Sequence, residues 1–108
     1  MNSKQKGNRG EREGARFIIE QGFQAERGVQ YQGSPDSPDI RIKDLPKLHV
    51  ECKRTERLKL YDALQQAKCD AGDEKIPVVL HRRNHHEWVV ILDGVDFFNI
   101  IRESELVK

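Results

Sequence analysis

The fold is decided by residues 37–53, which read SPDIRIKDLPKLHVECK. Apolar and polar residues alternate in the first and last parts of this stretch, which predicts one strand at Asp39–Ile42 and a second at Leu48–Lys53. Asp44–Pro46, between them, has the composition of a turn. We therefore expect the two strands to pair as a hairpin.

The two faces of this hairpin differ in chemistry because side chains alternate between faces along a strand. In the second strand one face holds Leu48, Val50 and Cys52, and the other holds His49, Glu51 and Lys53. In the first strand Asp39 falls on the face opposite to Ile40. We expect Asp39, Glu51 and Lys53 to converge on one side of the sheet. Two carboxylates there could bind a hard divalent cation, and the lysine could orient or activate a water.

Periodicity in the rest of the chain predicts a single α/β domain over residues 1–108, with a mixed sheet flanked by helices. The predicted helices are Asn8–Gln21, Leu60–Ala71 and Val95–Arg102, and the further strands are Phe23–Tyr31, Ile76–Leu80 and Glu87–Leu92. Residues 1–7 are predicted to form a loose basic tail.

The chain is short and its charges are segregated. With 108 residues, 34% of them charged and a formal net charge of +1, it has room for one core only. Basic residues crowd the N-terminus and residues 53–59, which favours one positive face on a nearly neutral protein. Apolar runs are too short to cross a bilayer and the N-terminus has no apolar signal-peptide core, so we expect neither membrane insertion nor export.

The first predicted helix also carries an inward-facing carboxylate. Glu11, Ala15 and Ile18 are spaced by four and three residues, so Glu11 lies on the stripe that buries the other two. Such a carboxylate is costly unless it is paired or metal-bound. The alternative is that Glu11 lies in the first turn and only interacts with the helix dipole.

These residues also resemble a known family. Ser37-Pro38-Asp39 followed by Glu51-Cys52-Lys53 resembles the PD-(D/E)XK nuclease signature. The opening of the chain resembles that of archaeal-type Holliday junction resolvases and their viral relatives, in Lys6-Gly7, Glu11-Arg12-Glu13 and Gly22-Phe23. The resemblance extends from about Lys6 to Trp88 and implies a small restriction-endonuclease-like core.

The resemblance implies a role for each matching residue. Asp39 and Glu51 would be metal ligands, joined by the backbone carbonyl of Cys52, and Lys53 would be the catalytic lysine. Glu11 would lie near the metal or its water. Gln66 would be an auxiliary catalytic residue in the second helix, with Gln65 as its rival. Oxygen-only ligands favour Mg²⁺, for which Mn²⁺ could substitute, and no small-molecule cofactor is expected.

The implied function is metal-dependent cleavage of branched DNA by a homodimer, in the cytoplasm of a bacterial, archaeal or phage-infected cell. The candidate DNA contacts are Lys6, Arg9, Arg12, Ser34, Ser37, Arg54, Arg57 and Lys59. Two alternatives stay open: a nuclease that nicks or acts on flaps or ends, and a DNA-binding module that keeps the fold without activity.

Other chemical readings are weaker. A zinc site is one of them, because its typical ligand spacing is absent among His81, His85, His86, Cys52 and Cys69. The histidines fit either a loop near DNA or an ordinary turn. Trp88 and Tyr61 could stack on bases, but packing is the favoured role. The apolar cluster Phe97–Ile101 is either the last part of the core or a dimer contact.

Overall fold

The computed structural model describes residues 3–28 and 38–107, with side chains described from residue 7 onward. These described residues form three helices and five strands. In order they are α1 (Ser3–Glu20), β1 (Ala25–Arg27), β2 (Ile40–Ile42), β3 (Leu48–Arg54), α2 (Leu60–Ala71), β4 (Ile76–Arg82), β5 (Val89–Ile91) and α3 (Gly94–Arg102). The predicted α/β class is confirmed.

The strands form one mixed sheet in the spatial order β1-β2-β3-β4-β5. The predicted hairpin is present, because β2 and β3 pair antiparallel with Ile40 opposite Val50. The two longest strands, β3 and β4, pair in parallel, and α2 supplies the crossover that a parallel pair requires. β1 and β5 pair antiparallel at the two edges.

Each face of the sheet is covered by one helix. On the α1 face the buried residues are Ala15, Ile18, Ile40, Ile42, Val50 and Leu80. On the α2 face they are Ala63, Leu64, Ala67 and Val79. The predicted alternation in β3 is confirmed, since Leu48 and Cys52 pack on the α1 cluster while His49 bonds to Glu51 on the opposite face. The polar residues His49 and Glu51 therefore lie on the α2 face, whereas Arg54, at the end of β3, bonds to Glu13 of α1.

Two glycines let α1 approach the sheet closely. A Cβ at Gly10 would lie 2.7 Å from Cβ of Arg54, and a Cβ at Gly14 would lie 2.9 Å from Cδ1 of Ile40. Glycine is otherwise unfavourable inside a helix. These positions therefore trade helix propensity for close contact with β3.

The structure differs from the sequence predictions at several places. The helix α1 begins at Ser3, five residues before the predicted Asn8, because the predicted tail contains the helix formers lysine and glutamine. Within the described residues, the predicted first strand is limited to Ala25–Arg27. Among those residues, no helix is long and apolar enough to cross a membrane.

The aromatic residues also divide. Trp88 packs against the α1 core, with its ring stacked 6.0 Å from that of Phe17, so its packing role is confirmed. Tyr61 is 84% exposed, so it is not part of the described core, and packing at an interface stays a prediction for this residue. The reason is geometric: Tyr61 lies off the stripe by which α2 contacts the sheet.

Candidate active site

Asp39 and Glu51 lie next to each other at the centre of the hairpin. Asp39 directly precedes β2, and the pairing of Ile40 with Val50 brings it beside Glu51. Its Oδ2 accepts a hydrogen bond from the backbone N–H of Cys52 at 2.9 Å, and its own N–H donates to the carbonyl of Val50 at 3.0 Å. Glu51 is only 6% exposed. The backbone thus fixes one carboxylate against the other.

This proximity has an electrostatic consequence. Burial, followed by the hydrogen bond to Glu51 and the charge of Glu51, raises the pKa of Asp39 to about 7. The N–H of Cys52 and the ammonium of Lys53 lower the pKa of Asp39, so Lys53 is close enough for its charge to act on this carboxylate. The structure therefore brings together the three residues that the strand alternation groups.

The thiol of Cys52 lies outside this polar group. Its side chain packs with the α1 cluster, and its Sγ donates to the carbonyl of Gly10 at 3.4 Å. Burial raises the pKa of Cys52 to about 12, so the thiol stays protonated. Only the backbone of Cys52 therefore interacts with the acidic pair Asp39 and Glu51.

Glu11 has a protein partner. Nε of Arg27 donates to Oε2 of Glu11 at 3.1 Å, and Nη2 of Arg27 donates to the side chain of Asn8 at 2.7 Å. Burial raises the pKa of Glu11, and the negative charge of Asp39 raises it further. The hydrogen bond from Arg27 lowers this pKa but does not outweigh the burial. Because α1 begins at Ser3, Glu11 is beyond the first turn, and the helix-dipole alternative is wrong.

Two residues join the site that sequence patterns do not identify. Nε2 of His49 lies 2.8 Å from Oε1 of Glu51, and both side chains are buried. One potential ligand atom each from His49, Glu51 and Asp70 lie within 4.8 Å of one another. The sequence places His49 on the face of Glu51, but the approach of Asp70 depends on how α2 packs on the sheet. Periodicity alone does not give that packing.

The position of Asp70 also separates the two glutamines. At 100° per residue, Gln66 lies about 40° from Asp70 around α2, whereas Gln65 lies about 140° from it. Gln65 donates instead to Sγ of Cys69 at 3.7 Å. Both glutamines are exposed, and Gln66 is the one on the side of α2 that carries Asp70.

The predicted DNA contacts fall into three groups. Exposed basic residues are Arg9, Arg12, Arg57 and Lys59. The guanidinium of Arg54 is instead held by Glu13 at 3.2 Å and by Asn84 at 2.9 Å, so intramolecular bonds already occupy it. The side chain of Lys6 and both Ser34 and Ser37 lie outside the described residues.

The three C-terminal histidines do not form a cluster within the described chain. Nε2 of His81 bonds to the carbonyl of Thr55 at 2.9 Å. His85 has a φ of 64°, which identifies it as a turn residue, and both it and His86 are exposed. His81 lies in β4, so the turn interpretation applies to His85 and His86 only, and a position near DNA stays a prediction.

Three comparisons with known proteins give one match, to a family model. No curated protein and no solved structure matches the chain. The family model described as "Archaeal Holliday junction resolvase (hjc)" matches residues 2–95, a range that contains the acidic pair, Lys53, Glu11 and both helices that cover the sheet. The chain therefore belongs to the archaeal Holliday junction resolvase family of nucleases.

Proposed function

We propose that this chain is a Mg²⁺-dependent endonuclease that cuts four-way DNA junctions as a homodimer. The observation that supports this most directly is the buried contact of Asp39 with Glu51 beside Lys53, in a member of a resolvase family. The family implies a branched DNA substrate. Metal dependence, the residue roles and the dimer are the proposed parts.

The acidic pair fits a hard divalent cation. Asp39 keeps its proton up to about pH 7 because it is buried against a second carboxylate, and a divalent cation held between them would compensate both charges. We assign Asp39, Glu51 and the backbone carbonyl of Cys52 as ligands, with Glu11 next to a metal-bound water. When bound, Mg²⁺ would stabilise the charge that develops on the phosphate and lower the pKa of a bound water.

The surrounding residues have separate tasks. Lys53 stabilises the negative charge of the transition state, since the charge of its ammonium already acts on Asp39. Arg27 holds Glu11 in place through their 3.1 Å contact. Gln66, on the side of α2 that carries Asp70, orients the water or the scissile phosphate. Arg9, Arg12, Arg57 and Lys59 are exposed and contact DNA phosphates.

The dimer contact is assigned to α3. None of the residues of α3 is buried by the described part of the chain. The helix carries large apolar side chains, among them Phe97 (44% exposed) and Phe98 (57% exposed). The cluster Phe97–Ile101 is therefore not part of the described core. An apolar helix face of this kind fits association with a second copy, which would place two identical sites about a two-fold axis.

Cleavage assays on three DNA substrates test this function. The full chain, incubated with Mg²⁺ and a four-way junction, a flap or plain duplex, should cut the junction preferentially and lose activity in EDTA. We expect Asp39→Asn to weaken Mg²⁺ binding strongly in calorimetric titration. Preference for the flap would favour the flap-directed alternative, and absence of cutting on all three substrates would favour the non-catalytic module.

Lys53→Ala separates chemistry from binding. Because its proposed task lies in the transition state, we expect a loss of about 10²–10³-fold in cleavage rate with Mg²⁺ binding retained. Lys59→Ala is the matched control, since it removes an exposed cation six positions along the chain. It should lower DNA affinity modestly and leave the rate at saturating DNA unchanged. Near wild-type cutting by Lys53→Ala would contradict the assignment.

A further inference from the structure

We propose that His49, Glu51 and Asp70 form a second cation site, which takes a transition-metal ion of the Zn²⁺ class beside the proposed Mg²⁺ site. Glu51 belongs to both sites because one of its faces meets Asp39 and the other meets His49. The inference shares Glu51 with the proposed function, but its ligands His49 and Asp70 have no part in the assigned cleavage chemistry.

The first observation is the burial of His49. It is fully buried, and Nδ1 of its ring has no hydrogen-bond partner among the described residues, while Nε2 lies 2.8 Å from Glu51. Nε2 is the ring nitrogen that lies next to Glu51, so a cation shared by the two side chains would bind Nε2 in place of their hydrogen bond, and Nδ1 would keep the ring proton.

The second observation is the convergence of three residues from two elements. His49 and Glu51 share one face of β3, and α2 places Asp70 above them, with one potential ligand atom of each within 4.8 Å of the others. Metal–ligand distances near 2.1 Å require ligand atoms about 3–4 Å apart, so the cluster needs to tighten around the ion. Asp70 lies at the last turn of α2 and is partly buried.

The donor set selects the kind of cation. Glu51 is shared with the proposed Mg²⁺ site, so the donors that belong to this site alone are the carboxylate of Asp70 and the imidazole of His49. Imidazole suits Zn²⁺ and its transition-metal neighbours better than Mg²⁺, which prefers oxygen ligands only. The two sites should therefore differ in selectivity: oxygen donors around Asp39, and a mixed nitrogen and oxygen set around His49.

Cobalt absorption tests the site without relying on activity. The metal-free full chain, with excess Mg²⁺ added first, is titrated with Co²⁺ and followed by its visible absorption bands, and Zn²⁺ is then added as a competitor. Wild-type protein should bind Co²⁺ and release it to Zn²⁺. His49→Gln and Asp70→Asn should each weaken Co²⁺ binding by about tenfold or more. His86→Gln and Asp73→Asn, at exposed positions, are the matched controls and should bind as wild type.

Two variants and a folding check keep the outcome decisive. Asp70→Asn changes a helix position that is only partly buried, so this variant decides the outcome if His49→Gln does not fold. Circular dichroism should show that Asp70→Asn keeps the fold. Asp39→Asn should retain Co²⁺ binding while it loses Mg²⁺, which separates this site from the proposed catalytic one. Absence of Co²⁺ binding in wild-type protein, or unchanged binding in folded Asp70→Asn, would overturn the second site and leave the Mg²⁺ proposal intact.

Discussion

At the scale of single residues, Asp39 makes the metal-free protein sensitive to pH. Its pKa is raised from 3.8 to about 7 in the folded chain, so between these values the folded state binds a proton that the unfolded state releases. The free energy of unfolding should therefore fall as pH rises through this interval and level off above pH 7. Urea denaturation in EDTA from about pH 4 to about pH 8 measures this slope.

Asp39→Asn isolates the contribution of Asp39 to that slope. The amide does not titrate, so the free energy of unfolding of the variant should lose most of its decrease with pH. Glu11, whose pKa is also raised, should contribute a smaller decrease in the same direction. Mg²⁺ should flatten the wild-type curve near neutral pH, since the cation displaces the proton. Parallel curves for the two metal-free proteins would mean that Asp39 ionises normally in the folded state.

The neighbouring glutamines provide a matched pair for the proposed site. Gln66 lies on the side of α2 that carries Asp70, and Gln65 lies on the far side, bonded to Cys69. We expect Gln66→Ala to lower the cleavage rate by about tenfold or more, because it removes a polar group that orients the reacting centre. Gln65→Ala should have no effect on the rate. Single-turnover kinetics on a four-way junction compare them, and equal rates would remove Gln66 from the site.

At the scale of elements, α1 depends on where its glycines lie. At Gly10 an added methyl group would meet Cβ of Arg54 at 2.7 Å, and that atom moves only with the strand, so Gly10→Ala should cost about 1–3 kcal/mol. At Gly7 no atom lies within 4 Å of an added Cβ, so Gly7→Ala should stabilise the helix by about 0.5–1 kcal/mol. Thermal denaturation should give shifts of opposite sign, and an increase for both variants would contradict the close packing of α1.

The elements differ in how far the sequence predicts them. The hairpin and α2 are predictable because period-two alternation and a continuous apolar stripe reflect burial directly, and the bounds Leu60–Ala71 agree with the prediction. The start of α1 is not predictable in this way, because its first residues are polar and carry no apolar stripe. Short edge strands such as β1 also leave little pattern.

The same distinction applies to the candidate site. Asp39, Glu51 and Lys53 can be grouped from alternation within one hairpin. The partner of Glu11 is Arg27, at the end of β1, and the partner of His49 and Glu51 is Asp70, in α2. Both contacts join residues far apart in the chain through the packing of a helix on the sheet. Local periodicity carries no information on such contacts.

At the scale of the whole molecule, the chain is elongated, with extents of 49 × 34 × 27 Å, and α3 adds little to its core. The ion pair between Lys68 and Asp93, at 2.7 Å, links the start of α3 to α2. The exposed valines of the edge strand β5 directly precede this helix. This apolar edge strand and this apolar helix are the surfaces that we expect to become covered by self-association.

One substitution on α3 and one beyond it test whether this surface makes the proposed dimer. Full burial of a phenylalanine is worth about 1.5–3 kcal/mol, and the substitution removes two copies that are each 57% exposed, so Phe98→Ser should raise the dimer Kd by about 20- to 300-fold. Leu106→Ser is the matched control, because Leu106 is 78% exposed and lies beyond α3. Sedimentation equilibrium measures the association, and junction cleavage at the same protein concentrations shows whether the two cuts become uncoupled, since a monomer presents one site at a time. A wild-type chain that is monomeric at micromolar concentration and binds duplex as tightly as the junction would contradict the dimeric resolvase. Wild-type association by Phe98→Ser would place the contact on another surface.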